Sequence, residues 1–174
     1  PFVGMEPAVK PAALNSKTVV VGILATAGTF KGRLFNETKE RFAADVKVIE
    51  QVGEGLVDAV ENGTIDSLET KQLLQSYIQP MLAANVDHLV LGCTHYPFLI
   101  PQIKKIAGDA ILILDPASAV AKQTQHLLVK HGLDNKDRNG FSSYSFYSTG
   151  NIATLKRMLK ELGVKSYTIN ELSI

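Results

Sequence analysis

Short apolar runs recur along the first part of the chain, and a stretch of helical length follows each. Residues 17–24 (KTVVVGIL) are rich in β-branched side chains and show no polar alternation, the pattern of a strand buried on both faces. Residues 45–50 (DVKVIE), 87–91 (DHLVL) and 110–114 (AILIL) read as further short strands. Helices are predicted over 31–42, 54–61 and 97–106, and from Pro116 to about Lys130. A longer one starts at Asp66, read as its cap with Glu69 three residues on. Its apolar residues Leu73, Leu74, Tyr77, Ile78, Met81 and Leu82 recur every three to four positions. Strand alternating with helix predicts an α/β fold, a parallel sheet flanked by helices and joined by right-handed crossovers. Residues 1–16, with Pro1, Pro7 and Pro11, read as an extended lead-in. A polar loop over 131–140, a strand over 143–148, a helix over 152–162 and a last strand over 166–169 complete the pattern.

In such a sheet, ligands gather where the strands end, at their carboxyl edge. The loops predicted there are 25–29, 53–55, 92–96 and 115–117. The third is the most unusual. The run Leu89-Val90-Leu91 stops at Gly92, and Cys93-Thr94-His95-Tyr96-Pro97 follow at once. Cys93 is the only cysteine. A thiol of ordinary acidity is only a few per cent ionised at neutral pH, and a neighbouring imidazolium or helix N-terminus raises that fraction. Cys93 with His95 two residues on therefore suits a nucleophile or general base, and Thr94 offers a hydroxyl and an N–H to a carboxylate ligand. The competing reading is a buried, inert cysteine. Thr26 and Thr29 flank Gly28 in the first loop and suit either a local turn or carboxylate binding. Glu61 by itself reads as a surface carboxylate. His88, His126 and His131 read as structural or solvated, and one cysteine among scattered histidines has no metal-ligand spacing, so no metal is expected.

The chain has 174 residues, room for one substantial domain or for one domain and part of another. Its formal net charge of +1 gives no single-sign field, so neither nucleic acid nor a membrane surface is an expected partner. Lys104-Lys105 and Lys156-Arg157 read as solvated helix faces. A lone cysteine excludes an internal disulfide and points to a reducing, cytoplasmic setting. The apolar runs are too short to span a bilayer, and no secretory signal pattern is visible. The chain begins with Pro1 rather than methionine, which reads as a fragment or a processed product.

Gly92-Cys93-Thr94-His95-Tyr96-Pro97 resembles the second signature of the glutamate racemases. Val3-Gly4-Met5-Glu6-Pro7-Ala8-Val9-Lys10-Pro11-Ala12, Leu24-Ala25-Thr26-Ala27-Gly28-Thr29 and Tyr147-Ser148-Thr149-Gly150 are similar to further blocks of that family, in the same order. The whole chain can be laid along the family's later two-thirds. The resemblance implies a cofactor-free enzyme that interconverts L- and D-glutamate for peptidoglycan synthesis, with two cysteines facing opposite sides of the substrate Cα. Cys93 matches the second cysteine, Thr94 and His95 match substrate-holding residues, and Glu61 lies near the place of a further acidic residue. The histidine after Cys-Thr favours glutamate over aspartate. The family's Asp-Ser-Gly loop, Tyr-Gly pair and Cys-Asn-Thr motif are absent. The expectation is therefore a glutamate racemase fragment, inactive alone, with a complete α/β domain over 1–115 and an incomplete α/β half-domain over 116–174. Leu127, Leu128, Phe146, Leu155, Leu159 and Leu162 would then be partly uncovered, on a surface that pairs with another copy, docks on the first domain or is disordered. The alternatives are another Asp/Glu racemase relative, such as an aspartate racemase or a decarboxylase, and a non-catalytic module that binds a small dicarboxylate or a protein.

Overall fold

The computed structural model describes residues 2–136 and 143–173. Strands β1 (Val20–Ala25), β2 (Lys47–Val52), β3 (His88–Gly92) and β4 (Leu112–Leu114) form a parallel sheet in the order β2-β1-β3-β4. Helices α2 (Ala27–Lys31) and α3 (Arg33–Phe42) connect β1 to β2, and α4 (Leu56–Glu61) and α5 (Leu68–Ala83) connect β2 to β3. A 3₁₀ turn (Tyr96–Leu99) and α6 (Ile100–Ala107) follow β3. After β4 come α7 (Ala117–Lys130), β5 (Tyr144–Ser148), α8 (Ile152–Glu161) and β6 (Tyr167–Glu171). Strands β5 and β6 pair in parallel as a separate two-stranded sheet.

The absence of polar alternation in β1 and in Leu89–Leu91 of β3 is explained by two cores, one on each face of the sheet. Leu24, Leu89 and Leu91 point to one face and pack with Leu74, Ile78 and Met81 of α5 and Ile103 of α6. Val21, Ile23, Ala25 and Val90 point to the other and meet Phe35 of α3. Gly22 lets α5 approach closely, since a Cβ there would lie 2.8 Å from the Met81 sulfur.

Several expectations are corrected. The lead-in is not extended throughout: Val9–Asn15 forms a helix, α1, whose Val9 and Ala12 are fully buried against the sheet. Pro11 sits in its first turn, where proline costs no backbone hydrogen bond, so the prolines did not preclude a helix. The cap of α5 is Ser67, whose hydroxyl accepts from the Thr70 N–H at 3.1 Å, while Asp66 instead accepts from Gln102. The predicted helix over 31–42 is broken at Gly32, so α2 and α3 are distinct. The predicted loop over 131–140 is described as far as Lys136, and residues 137–140 lie outside the described residues.

At the amino edge of the sheet, Asp87 ties the start of β1 to the start of β3. Its carboxylate accepts from Ser16 Oγ (2.8 Å), from the Lys17 and Thr18 N–H groups (2.6 and 3.1 Å) and contacts His88 Nδ1 (2.8 Å). Burial acts to raise the Asp87 carboxyl, but the hydrogen bonds from His88, Ser16, Lys17 and Thr18 outweigh it and hold the group well below the usual carboxylate range.

In the C-terminal part, Leu159 is buried, whereas Leu127, Phe146 and Leu155 are half-buried and Leu128 and Leu162 are exposed. Leu159 departs from the expectation of an uncovered face, and its neighbour Met158 packs on the larger core. No helix among the described residues is long and apolar enough to cross a membrane.

Candidate active site

The chain leaves β1 toward β2 on one side and later returns to β3 on the other side of β1. The order of the sheet therefore switches direction between β1 and β3, and a crevice opens at the carboxyl ends of these two strands. Both strands end in residues singled out above. Thr26 follows β1, and Cys93 follows β3.

A cavity of about 310 Å³ lies at this point, with Thr29, Gly92, Cys93 and Thr94 on its wall. Cys93 is half-buried and Thr94 is exposed. Thr29 Oγ1 donates to the Gly92 carbonyl at 3.1 Å, which ties the loop after β1 to the last residue of β3. Thr26 does not line the cavity; it caps α2, accepting from the Thr29 N–H at 3.3 Å, and its hydroxyl is 3.0 Å from that of Thr29. Of the two predicted uses of this pair, Thr26 thus serves the local turn, and Thr29 also faces the cavity.

His95 stands beside the cavity and connects two loops. Its Nδ1 lies 3.9 Å from Cys93 Sγ and its Nε2 lies 3.0 Å from Glu61 Oε1. A carboxylate only accepts, so Nε2 must carry the proton of that bond. In the neutral ring Nδ1 is then the lone-pair nitrogen, turned toward the thiol. Glu61 reaches this position because α4 follows β2, and its side chain is 51% exposed against 25% for His95. Sequence spacing alone could not pair residues 34 positions apart.

Tyr96 fixes the floor of this loop. Its side chain is fully buried, and its hydroxyl donates to the Gly53 carbonyl at 3.0 Å, joining the loops after β3 and β2. Burial, with the Cys93 and Tyr77 groups nearby, pushes its phenol above the ordinary value, so it remains a donor.

Pro116, from the predicted 115–117 loop, lies on the cavity wall, and so do Met5, Glu6 and Pro7 of the lead-in, which were not predicted there. Arg157, read from sequence as part of a solvated basic face, instead donates from Nη2 to the Val60 carbonyl at 2.9 Å and to the Glu61 carbonyl. No cluster of three or more His, Cys, Asp or Glu side chains among the described residues is placed to hold a metal ion.

Comparison with known proteins bears on this geometry. Glutamate racemase from Ectopseudomonas mendocina is 45% identical over 159 residues, covering 91% of this chain and 60% of the relative. Glutamate racemase from Pseudomonas putida KT2440 is 43% identical over 174 residues, covering 100% of this chain and 65% of the relative. The solved structure of Escherichia coli glutamate racemase, in complex with L-glutamate and the activator UDP-MurNAc-ala, superposes with a TM-score of 0.79 at 27% identity, covering 99% of this chain and 65% of that one. Isoform RacE1 of glutamate racemase from Bacillus anthracis shares the fold, with a TM-score of 0.79 at 22% identity over 95% of this chain and 62% of that one. The chain thus spans between 60% and 65% of the length of these relatives. The profile of the family described as Asp/Glu/Hydantoin racemase matches residues 1–124, the segment that builds the four-stranded sheet and the Cys93 crevice, and the chain belongs to that family.

Proposed function

We propose that this chain carries one half of the reacting site of a cofactor-independent glutamate racemase. The observation that carries the reading is the position of Cys93: on a cavity wall at the sheet's switch point, with His95 3.9 Å away and Glu61 behind it. Relatives more than 40% identical that are named glutamate racemase support glutamate as the substrate.

In this reading His95 takes the thiol proton at Nδ1 and Glu61 stabilises the ring through Nε2. The Cys93 thiolate removes the Cα proton from one face of glutamate, so the C–H bond breaks as an S–H bond forms and the electron pair remains on the substrate. A group on the opposite face then returns a proton to Cα, which inverts the centre. Thr94 and Thr29 hold the substrate's carboxylates, and Thr26 supports Thr29. This chain has a single cysteine. The opposite group therefore comes from the part of the relatives' length that this chain does not cover, and the chain alone does not racemise. Residues 1–115 act as the complete unit and 116–174 as a half-unit that the part of the relatives' length not covered here, or a second copy of the chain, completes. The enzyme works in the cytoplasm, where its D-glutamate product feeds peptidoglycan synthesis.

The test is racemisation of L-glutamate, followed by circular dichroism and by deuterium uptake at Cα. It is run on this chain alone and on this chain mixed with the uncovered portion of the Pseudomonas putida relative. Activity is expected only in the mixture and is lost with Cys93→Ala. Activity in the chain alone would refute the two-sided assignment. A Cys93 that reacts with iodoacetamide but is not protected by glutamate, together with an inactive mixture, would favour a non-catalytic binding module.

A further inference from the structure

We infer that Arg157, with Thr154 beside it, is a positioning residue for this site: from α8 it holds the last turn of α4 where Glu61 meets the His95 ring. The inference rests on reading Cys93, His95 and Glu61 as the reacting group. The carbonyls at a helix C-terminus lack partners within the helix. In α4 the Asp58 and Ala59 carbonyls are closed locally, by the Asn62 N–H at 2.8 Å and the Thr64 N–H at 2.9 Å. The Glu61 carbonyl is met from α8 instead, by Thr154 Oγ1 at 3.2 Å and by Arg157 Nη2. The same nitrogen donates to the Val60 carbonyl at 2.9 Å.

The guanidinium is itself held. Its Nη1 lies 3.6 Å from Glu161 Oε1, one turn further along α8. Its face lies against Gly63, which has φ +71° and where a Cβ would come within 2.8–3.0 Å of guanidinium atoms. The backbone conformation there favours glycine, and any Cβ would have to displace the guanidinium. Leu159 is buried, and Met158 packs on the larger core, which seats α8. A cation at a helix C-terminus also opposes the negative end of the helix dipole. Helix α4 has six residues and the Glu61 side chain is half exposed, so little else restrains the carboxylate. A lysine ammonium can donate to carbonyls but has neither a second nitrogen for Glu161 nor a flat face to lie on Gly63.

The His95 ring reports this directly. Long-range ¹H–¹⁵N spectra of the labelled chain at pH 8, assigned with His95→Gln, distinguish a ring fixed with its proton on Nε2 from one that exchanges tautomers. The wild type is expected to show the fixed pattern, Arg157→Met the exchanging one and Arg157→Lys an intermediate. Thr154→Val is expected to shift the ring in the same direction by less. Alkylation of Cys93 by iodoacetamide is expected to slow roughly threefold to tenfold in Arg157→Met, in the lower part of the coupling found between residues in one network. In a Glu61→Gln background, Arg157→Met should add nothing to either readout. A folded Arg157→Met chain with wild-type ring shifts, or an equal effect in the Glu61→Gln background, would overturn the inference. If Arg157→Met does not fold, Thr154→Val decides, and unchanged ring shifts in that variant would overturn it. An inactive mixture in the racemisation assay with a normally fixed ring would count against the racemase reading and not against the positioning.

Discussion

Gly92→Ala is the sharpest probe of how the sheet presents Cys93. Gly92 is paired with Ala25 at the last step of the β1–β3 ladder. A Cβ on Gly92 would lie 2.7 Å from the Ala25 Cβ and 3.4 Å from Pro7 Cγ. Ordinary contact between such atoms begins at 3.4 Å, so the Pro7 contact is tolerable and the Ala25 contact is not. Neither Cβ can rotate away, and relief requires the two strands to separate by about 1 Å at the edge that carries Cys93. Overpacking of this kind costs about 1–3 kcal/mol. Ala25→Gly alone should also destabilise, by about 1–2 kcal/mol, through the lost buried methyl and the freer backbone. In the double variant the clash is gone, so its cost should match Ala25→Gly alone, a favourable coupling equal to the Gly92→Ala cost, about 1–3 kcal/mol. Urea denaturation of the four chains measures each term. The separation also lengthens the Thr29–Gly92 bond, so Cys93 alkylation should change in Gly92→Ala and return toward wild type in the double variant. Costs that add within about 0.5 kcal/mol would refute the steric account.

Other perturbations test the parts around the site. Asp87→Asn should cost roughly 2 kcal/mol at pH 7, because charge-assisted bonds are replaced by weaker ones. The folded-state pKa of Asp87 is depressed, so its contribution is present above the unfolded value of about 3.9 and is lost as pH falls through the folded value. The urea-midpoint difference between wild type and Asp87→Asn should therefore shrink on acidification below about pH 4, and a difference that persists in acid would contradict this. Tyr96→Phe removes the shorter of two bonds to the Gly53 carbonyl, leaving the Leu56 N–H at 3.3 Å, and should cost about 0.5–1.5 kcal/mol by thermal or urea melts. Thr29→Val removes the hydroxyl that ties the two loops, and glutamate should then protect Cys93 from alkylation less well than in the wild type.

Much of the arrangement could be read from sequence because its cause is local. Uninterrupted apolar runs such as 89–91 read as buried on both faces, and the abrupt change at Gly92 marks the strand end where ligands gather. Cys93, Thr94 and His95 follow from that one boundary. The helix at Val9–Asn15 was obscured because prolines in the first turn of a helix look the same in sequence as prolines in an extended segment. The α5 cap was misplaced by one residue because Asp66 and Ser67 are both good caps, and a distant glutamine, Gln102, takes the aspartate. Contacts that depend on tertiary approach leave no local trace. Glu61 reaches His95 across 34 positions, and Arg157 reaches the Glu61 carbonyl across 96.

That last separation sets an order of events while the polypeptide is being made. At translation rates of about 5–20 residues per second, Arg157 leaves the ribosome roughly 5–20 s after the Glu61 carbonyl it will bind. All four strands of the main sheet, ending at Leu114, have been synthesised by then. The nascent chain can thus close its scaffold and bury Tyr96 while the end of α4 still waits for its outside partners. The carboxylate beside the histidine is set among the final steps, so a chain truncated before α8 would be compact yet chemically unready.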